Sequence, residues 1–343
     1  MYYKLIIQII GGLALFIFGI NTLSDGLQKI TSNNIKSIIG VLSRRPWASA
    51  LVGLATTLII QSSSATSVMT VGFVNAGLIN LKTAIGIIMG ANIGTTITAQ
   101  IVSLNIVGLL TYPLLIIGFI LFFTSKRRRY KNIGMAIIGL GLLFLGMGIM
   151  KESLDPLKDN QSFKNFLLVF SRNPFLGVLA GLLLTSLLQS SSATIGILIA
   201  LASQGLIPIE AAIPILFGDN IGTCTTALLS SIGTTVTAKR TAFSHLLFNV
   251  LGTIIFMTLF YGFRLEPFIV RYMGSSVPRQ IANMHTAFNA VTTAILFPLI
   301  GLFEKLVVKL YPGKDIIEHK NAIHLDNRLI KTPSVALEQA KKE

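Results

Sequence analysis

Charged residues are scarce in this sequence. Only 12% of its 343 residues are Asp, Glu, Lys or Arg, whereas 52% are hydrophobic. About a quarter of the residues in soluble domains are charged, so the composition excludes an ordinary soluble domain and indicates an all-α integral membrane protein. The net charge is +15. The basic residues form short clusters between apolar runs, such as 126–131, which indicates cytoplasmic loops and argues against nucleic-acid binding.

Cysteine is almost absent as well. The single Cys224 excludes an intramolecular disulfide and offers no cysteine metal cluster. The apolar runs lack a nucleophile paired with a base, so the sequence does not predict an enzyme. No cleavable signal peptide is expected, because the uncharged run 5–24 is long enough to span a membrane and no small-residue cleavage site follows it.

Two uncharged runs of equal length contain the same polar hexamer. The runs are 47–81 and 175–209, and Gln-Ser-Ser-Ser-Ala-Thr occurs in them at 61–66 and 189–194. One helix of that length would measure about 52 Å, which is much longer than the hydrocarbon core of about 30 Å. Two crossings of about 20 residues each would need more residues than either run contains. Each run therefore predicts a re-entrant helical hairpin that turns at its Gln-Ser-Ser-Ser (QSSS) tip.

The polar tips predict a binding cavity. Non-helical backbone at membrane depth persists only where protein or a water-filled cavity satisfies its N–H and C=O groups. A single serine in a membrane helix usually bonds to its own backbone or packs against a neighbouring helix. The same hexamer at the centre of two equal runs favours a cavity over that structural role.

A constant offset in residue number, equal to 128, relates the two halves. It connects Gln61 with Gln189, Asn92 with Asn220, and Ser43 with Ser171. Each repeat is predicted to hold three crossings and one hairpin, and because three is odd the second repeat is inverted relative to the first. The predicted divisions are a first inverted repeat at 1–125, a second at 131–263, one additional C-terminal transmembrane helix within 264–310 and a polar cytoplasmic tail at 311–343.

One transmembrane helix of each repeat is predicted to be interrupted. Glycine, Asn and Thr occur together at 90–96 and at 218–223, where they weaken a helix and free backbone groups. Paired interruptions in an inverted repeat indicate a secondary transporter with its site at the midplane. The last crossing is predicted as one span at about 280–310.

The centres of the spans lack Arg and Lys. An anion there would be held by helix N-termini at the hairpin tips and at the Gly-rich interruptions, where N–H groups are free and the dipole favours negative charge. Ser hydroxyls would add donors. Freed carbonyls with Gln, Asn and Thr oxygens suit an alkali cation. These parts predict a small oxyanion that moves with a monovalent cation.

Three further polar residues lie within the spans. Asp219 is an intramembrane carboxylate, and its counterpart in the first repeat is Ala91. Such groups are costly and usually functional, so a cation site or proton coupling is favoured over a hydrogen bond to nearby Thr hydroxyls that only holds the interruption together. His245 and His285 each precede an Asn by four residues, on one helix face, which favours hydrogen bonds between helices over metal binding.

Together these motifs closely resemble the bacterial branch of the type II sodium-dependent phosphate cotransporter family, over residues 5–310. The specific features are the two QSSS tips, each followed by Asn-Ile-Gly-Thr, at 92–95 and at 220–223. The resemblance implies inorganic phosphate as substrate, sodium as coupling ion and a location in the bacterial plasma membrane. Members often continue into a cytoplasmic PhoU-like domain, and the polar tail is similar to the beginning of one.

The resemblance also assigns residues. The implied phosphate contacts are Gln61, Ser62, Ser63, Ser64, Gln189, Ser190, Ser191, Ser192, Asn92 and Asn220. The expected sodium ligands are Thr66, Thr194, Thr95, Thr223, Asn92, Asn220 and Asp219. Asp219 is included because it is a carboxylate within a span, not because of the resemblance.

The main hypothesis is a sodium-coupled secondary transporter of inorganic phosphate that works by alternating access. A passive anion channel, with the QSSS tips as its filter, is one alternative. Transport of another tetrahedral oxyanion such as arsenate is a second, because dipoles and hydroxyls discriminate such anions weakly.

Overall fold

The computed structural model describes residues 2–31, 46–104 and 107–315, and within these ranges it contains helices and no strand. The helices belong to one structural unit, Met1–Pro312. Ser43, and the predicted polar tail from residue 316 onward, lie outside the described residues.

Among the residues that the structure describes, the first repeat contains five α-helices, and two of them flank the first QSSS tip. The five are α1 (Tyr2–Thr31), α2 (Pro46–Ile60), α3 (Ser63–Asn75), α4 (Leu81–Val102) and α5 (Val107–Thr124).

In the described range 107–315, the second repeat contains seven α-helices, and three more α-helices follow it before residue 315. The seven are α6 (Arg128–Leu154), α7 (Gln161–Arg172), α8 (Pro174–Leu188), α9 (Ser191–Ser203), α10 (Ile209–Gly222), α11 (Cys224–Ser230) and α12 (Val236–Met257). The last three are α13 (Glu266–Tyr272), α14 (Val277–Leu296) and α15 (Ile300–Leu310).

Long apolar helices confirm the prediction of an all-α membrane protein. Among the described residues, 5 helices are long and apolar enough to cross a membrane, or 6 if α14 and α15 form one bent span. The apolar part of α5, Leu109–Thr124, is shorter than these helices. The five are Tyr3–Thr31, Leu81–Val102, Arg128–Asp159, Ile209–Ser230 and Val236–Gly262.

The helix boundaries repeat with the same offset as the sequence motifs. Helices α8 and α9 begin and end at the positions that this offset predicts from α2 and α3, respectively. Together, α10 and α11 begin and end at the positions that it predicts from α4. The same local sequence pattern has therefore produced the same order of elements twice.

The first tip joins two helices that run in opposite directions. Helix α2 is parallel to α4, because Ala50 lies beside Gly90 while Thr57, further along α2, lies beside Gly94. Helix α3 is antiparallel to α4, because its start is bonded to Thr95 and its end packs near Ala84. It follows that α2 and α3 form a helical hairpin whose tip reaches the second half of α4.

The interruption predicted at 90–96 is wrong, because α4 is continuous from Leu81 to Val102. The glycines allow close packing instead of breaking the helix. A Cβ at Gly90 would lie 1.8 Å from Ala50 O, and one at Gly94 would lie 2.8 Å from Thr57 Cβ. The close contact with α2 outweighs the weak intrinsic helix propensity of glycine.

In the second repeat the interruption is limited to one residue. Thr223 separates α10 from α11, whereas 218–222 remain helical. Gly218 packs against the backbone of α8, where an added Cβ would lie 1.9 Å from Val178 O. The two repeats thus use their glycines in the same way.

The segment predicted as one span at 280–310 is divided into α14 and α15, which meet at an angle of 91°. Pro298 lies between them. Proline lacks the backbone N–H that a continuous helix needs and disfavours helical geometry at the residue before it. The bend therefore has a cause that is visible in the sequence.

Helices α1 and α6 form a closely packed pair. They are antiparallel, because Gly12 packs against Gly146 while Gly19, further along α1, packs against Gly139. Added Cβ atoms at these positions would lie within 2.9 Å of backbone atoms of the other helix. Small residues allow this approach, which is how membrane helices associate without a hydrophobic driving force. The connection after α6 contains the additional helix α7.

Candidate functional site

The first tip is a tight turn made by two residues. Gln61 has a left-handed backbone with φ of 55°, which is unfavourable for a residue with a Cβ. Ser62 then caps α3, because its Oγ accepts a hydrogen bond from Ala65 N at 3.1 Å. The Gln61 side chain is held from two sides: its Nε2 donates to Leu58 O at 2.6 Å, and its Oε1 accepts from Thr98 Oγ1 at 3.1 Å.

The second tip repeats this backbone geometry. Gln189 has φ of 50°, and Ser190 Oγ accepts from Ala193 N at 3.2 Å. The expectation that a helix begins at each tip is therefore confirmed, because α3 starts at Ser63 and α9 at Ser191. Unfavourable backbone conformations of this kind are concentrated at ligand sites in proteins.

Both tips line a single cavity of about 250 Å³. Helix α1 forms another wall, with Asn21 as its polar contribution. The cavity lining consists of Gln61, Ser62, Ser63, Ser64, Gln189, Ser190, Ser191, Ser192, Thr95, Asn21, Ile17, Ile20 and Leu188. The fold thus brings together two QSSS segments that are separated by more than a third of the chain.

The cavity is polar but has no charged lining residue. Its donors are the hydroxyls and amides of both tips and the free N–H groups in the first turns of α3 and α9. The positive ends of these two helix dipoles add a favourable potential for an anion. The arrangement can therefore bind an oxyanion with neutral groups.

A pair of threonines lies behind each tip. In the first repeat, Thr57 Oγ1 is 3.0 Å from Thr66 Oγ1. In the second, Thr185 Oγ1 is 2.8 Å from Thr194 Oγ1. All four side chains are buried and none of them lines the cavity. Thr66 and Thr194, predicted as sodium ligands, are thus one layer behind the tips.

Asp219 extends the threonine pair of the second repeat. Its Oδ1 accepts a hydrogen bond from Thr185 Oγ1 at 2.6 Å, and its side chain is fully buried. Its Oδ2 has no hydrogen-bond partner among the described residues. Ala91 occupies the equivalent place in the first repeat, so the two threonine pairs differ by one carboxylate.

Asn92 and Asn220 do not line the cavity. Asn92 Oδ1 is 3.0 Å from His245 Nε2 on α12, and Asn220 Oδ1 is 3.3 Å from His285 Nε2 on α14. Asn289 Nδ2 also donates to Asn220 Oδ1, at 3.3 Å. The predicted hydrogen bonds between helices at the two histidines are therefore confirmed.

The remaining predicted sodium ligands occupy different positions. Thr95 lines the cavity, and its Oγ1 is 3.0 Å from Ser63 Oγ. Thr223 lies outside the cavity, and its hydroxyl donates to Asp219 O at 2.9 Å. Only Thr95 of this pair therefore adds a polar group to the cavity.

Several polar residues around the tips were not predicted from the sequence. Asn21 lines the cavity, while Thr57, Thr185 and Thr98 hold the tips or the buried layer behind them. A signal was present for Asn21, because it is polar near the end of an otherwise apolar run. Thr57 and Thr185 also carry a signal, since the repeat offset relates them.

The apolar helices and the two-tip cavity define this chain as a multi-pass membrane protein. The chain matches the Na+/Pi-cotransporter family over residues 15–152 and 150–277. It therefore belongs to that family, and the resemblance inferred from its motifs is confirmed.

Three relatives illustrate the range of similarity. The Bacillus subtilis protein named "Uncharacterized protein YqeW" is 32% identical over 302 residues, 87% of this chain and 96% of that protein. YjbB of Escherichia coli, whose name assigns it provisionally to inorganic phosphate export, is 25% identical over 98% of this chain and 62% of its own length. The rat sodium-dependent phosphate transport protein 2A is 36% identical over 28% of this chain and 15% of its length. No solved structure is similar enough to count as a match.

Proposed function

We propose that this protein is a sodium-coupled transporter of inorganic phosphate that works by alternating access. Phosphate binds in the cavity between the two QSSS tips, with contacts from Gln61, Gln189 and the serines that follow each of them. The observation that carries this proposal is that both tips line the same cavity. Membership of the Na+/Pi-cotransporter family supports the choice of phosphate and sodium.

Packing of α1 against α6 supports an inverted repeat. The two helices occupy equivalent places at the start of their repeats, and they pack antiparallel. Helices α2 and α8 have 15 residues each, which gives about 22 Å against a hydrocarbon core of about 30 Å. In the proposal, the hairpins are re-entrant and approach the midplane from opposite faces.

The neutral lining of the cavity suits a substrate that must also leave. A buried lysine or arginine would bind phosphate strongly and would remain as an unpaired charge after release. Hydroxyls, amides and helix ends can exchange phosphate for water without that cost. A cavity of about 250 Å³ also has room for some water, which occupies about 30 Å³ per molecule in the liquid.

Sodium binds, in this proposal, behind the second tip. Asp219 Oδ2 is buried without a partner among the described residues, and an unpaired carboxylate in a membrane is costly. A cation held by Asp219 and the Thr194 hydroxyl would remove that cost and brace the tip that contacts phosphate. Thr66 provides the equivalent hydroxyl in the first repeat, without a carboxylate.

Uptake into proteoliposomes tests the proposal. We expect an inward sodium gradient to drive accumulation of radiolabelled phosphate and choline substitution to abolish it. Gln61→Ala and Gln189→Ala should each weaken phosphate binding about tenfold, because each removes a hydrogen-bonding amide from the cavity. The matched control is Gln8→Ala, an exposed position of α1 outside the cavity.

Two outcomes would contradict this function. Uptake that is unchanged in choline would remove sodium coupling. Loss of affinity in only one of the two glutamine variants would exclude a site shared by both tips. Competition by arsenate as strong as by phosphate would instead favour a general transporter of tetrahedral oxyanions, which the neutral donors of the cavity also permit.

A further inference from the structure

A second polar cavity, of about 320 Å³, lies where the ends of several helices meet. It lies at the C-terminal ends of α4, α6 and α9 and at the N-terminal end of α14. Ser103, Lys151, Ser203 and Ser276 are its polar lining residues. None of the residues that line it is acidic.

This cavity is separate from the one between the tips. The two share no lining residue. Thr95 and Ser103, which line one cavity each, are eight residues apart in the sequence, which corresponds to about 12 Å along a helix. Ser191 and Ser203 are twelve residues apart on α9, or about 18 Å.

Lys151 supplies the charge of the second cavity. Its side chain is half-buried, and among the described residues its ammonium group has neither an ion-pair partner nor a hydrogen-bond acceptor. The ion pair nearby is made by Lys158, whose Nζ lies 2.5 Å from Asp155 Oδ1. Partial burial of an ammonium group without a partner is unfavourable, and an anion in the cavity would compensate it.

Arg279 adds a second positive charge directly behind the wall. Its Nη1 donates to Ser103 Oγ at 3.1 Å and to Gln100 O at 3.3 Å. The Ser103 hydroxyl in turn lines the cavity. The guanidinium group is thereby fixed next to the cavity, where it increases the positive potential that Lys151 creates.

Donors for the oxygens of an anion are also present. Ser276 precedes α14 but makes no side-chain capping hydrogen bond to its first turn. The free N–H groups of that turn can therefore serve an outside acceptor, and the Ser276 hydroxyl lies in the same wall. The Ser203 hydroxyl already donates to Ile199 O at 2.7 Å. This set of groups matches the several oxygens of a phosphate group.

We propose that this cavity is a second anion site, which binds a phosphate group through the Lys151 ammonium with Arg279 as a supporting charge. The phosphate group belongs either to free inorganic phosphate or to the headgroup of an anionic lipid. The site does not depend on the function proposed for the tips, because it uses different residues.

Phosphate binding to the full-length protein tests the site. In nanodiscs of phosphatidylcholine alone, equilibrium binding of radiolabelled inorganic phosphate should show a second, weaker class of site. Lys151→Gln should weaken that class at least tenfold, because a charge-assisted hydrogen bond is lost, and about 0.5 M choline chloride should weaken it by screening. Lys151→Arg should retain it.

Lys158→Gln is the matched control, because it makes the same charge change at a paired lysine of the same region. It should leave both classes unchanged. Gln189→Ala should weaken only the class assigned to the tips. If the class of phosphate sites assigned to the tips is absent and the Lys151-dependent class is present, the proposed transport site is contradicted. The second anion site is then still supported.

A second arm distinguishes the source of the phosphate group. If a lipid headgroup fills the cavity, the weak class should be absent in nanodiscs that contain phosphatidylglycerol. The wild-type protein should then retain phosphatidylglycerol through purification, and Lys151→Gln should lose it. The proposal would be overturned if the weak class of phosphate sites and the Lys151-dependent retention of lipid were both absent. Lys151 would then only extend its charged end to water.

Discussion

At the scale of single residues, Asp219 distinguishes the buried layer behind the second tip from the layer behind the first. Both repeats place a buried pair of threonines behind a QSSS tip. Only the second adds a carboxylate, where the first has Ala91. A site for a cation in the second repeat would thus be formed by a single substitution on an otherwise duplicated arrangement.

Asp219→Asn should raise the sodium concentration for half-maximal phosphate uptake about tenfold, because the amide keeps the shape of the side chain and loses its charge. Uptake at saturating sodium should recover most of the wild-type rate. A sodium titration of proteoliposome uptake measures both quantities. Asp25→Asn, at an exposed position of α1, makes the same charge change as a control, and an unaltered titration in Asp219→Asn would contradict the cation site.

At the scale of helices, the glycines of α4 and α10 allow close packing against the hairpins. Gly90 and Gly218 are equivalent in the two repeats, and an added Cβ at either would lie within 2 Å of a carbonyl oxygen of α2 or α8. A carbonyl oxygen of a helix is part of the hydrogen-bonded backbone and cannot move aside. The hairpins therefore depend on these two positions for their distance from the neighbouring helix.

Gly90→Ala and Gly218→Ala should each destabilise the protein by about 1–3 kcal/mol, the usual cost of overpacking. The midpoint of thermal unfolding in detergent should fall in both variants. Gly148→Ala is the control, because an added Cβ there meets nothing within 4 Å and alanine is the better helix former. Equal stability of all three variants would show that the hairpins can shift away from α4 and α10.

At the scale of the whole molecule, each repeat has an asparagine that bonds to a histidine of a later helix. His245 of α12 bonds to Asn92 of the first repeat, and His285 of α14 bonds to Asn220 of the second. The offset that relates the two asparagines does not relate the two histidines, which are much closer to each other in sequence. The two asparagines therefore have similar partners, although the partner of Asn220 lies on α14, a helix that follows the second repeat.

Cysteine labelling can test alternating access, because Cys224 is buried and should contribute little background. Asn21→Cys places a thiol in the wall of the tip cavity. A membrane-impermeant thiol reagent should label it from one side of the membrane at a time, and phosphate with sodium should change the preferred side. Equal labelling from both sides under all conditions would favour a channel. The control is Gly72→Cys on α3, a position with open space around it outside the cavity lining.

The sequence by itself determined the membrane class, the family and the turn at each QSSS tip with the helix that follows it. These features depend on local patterns: apolar run lengths, a repeated hexamer and serines that cap the helices that follow them. Pro298 belongs to this group as well, although the bend that it causes was not predicted.

Tertiary structure alone decided which polar residues meet. Gly90 and Gly218 remain helical because α2 and α8 pack against them, which outweighs a local propensity. Asn92 and Asn220 face histidines that are far away in sequence, and Asn21 reaches the cavity because α1 packs beside both tips. Contacts of this kind are set by the packing of whole helices, and no local pattern in the chain encodes them.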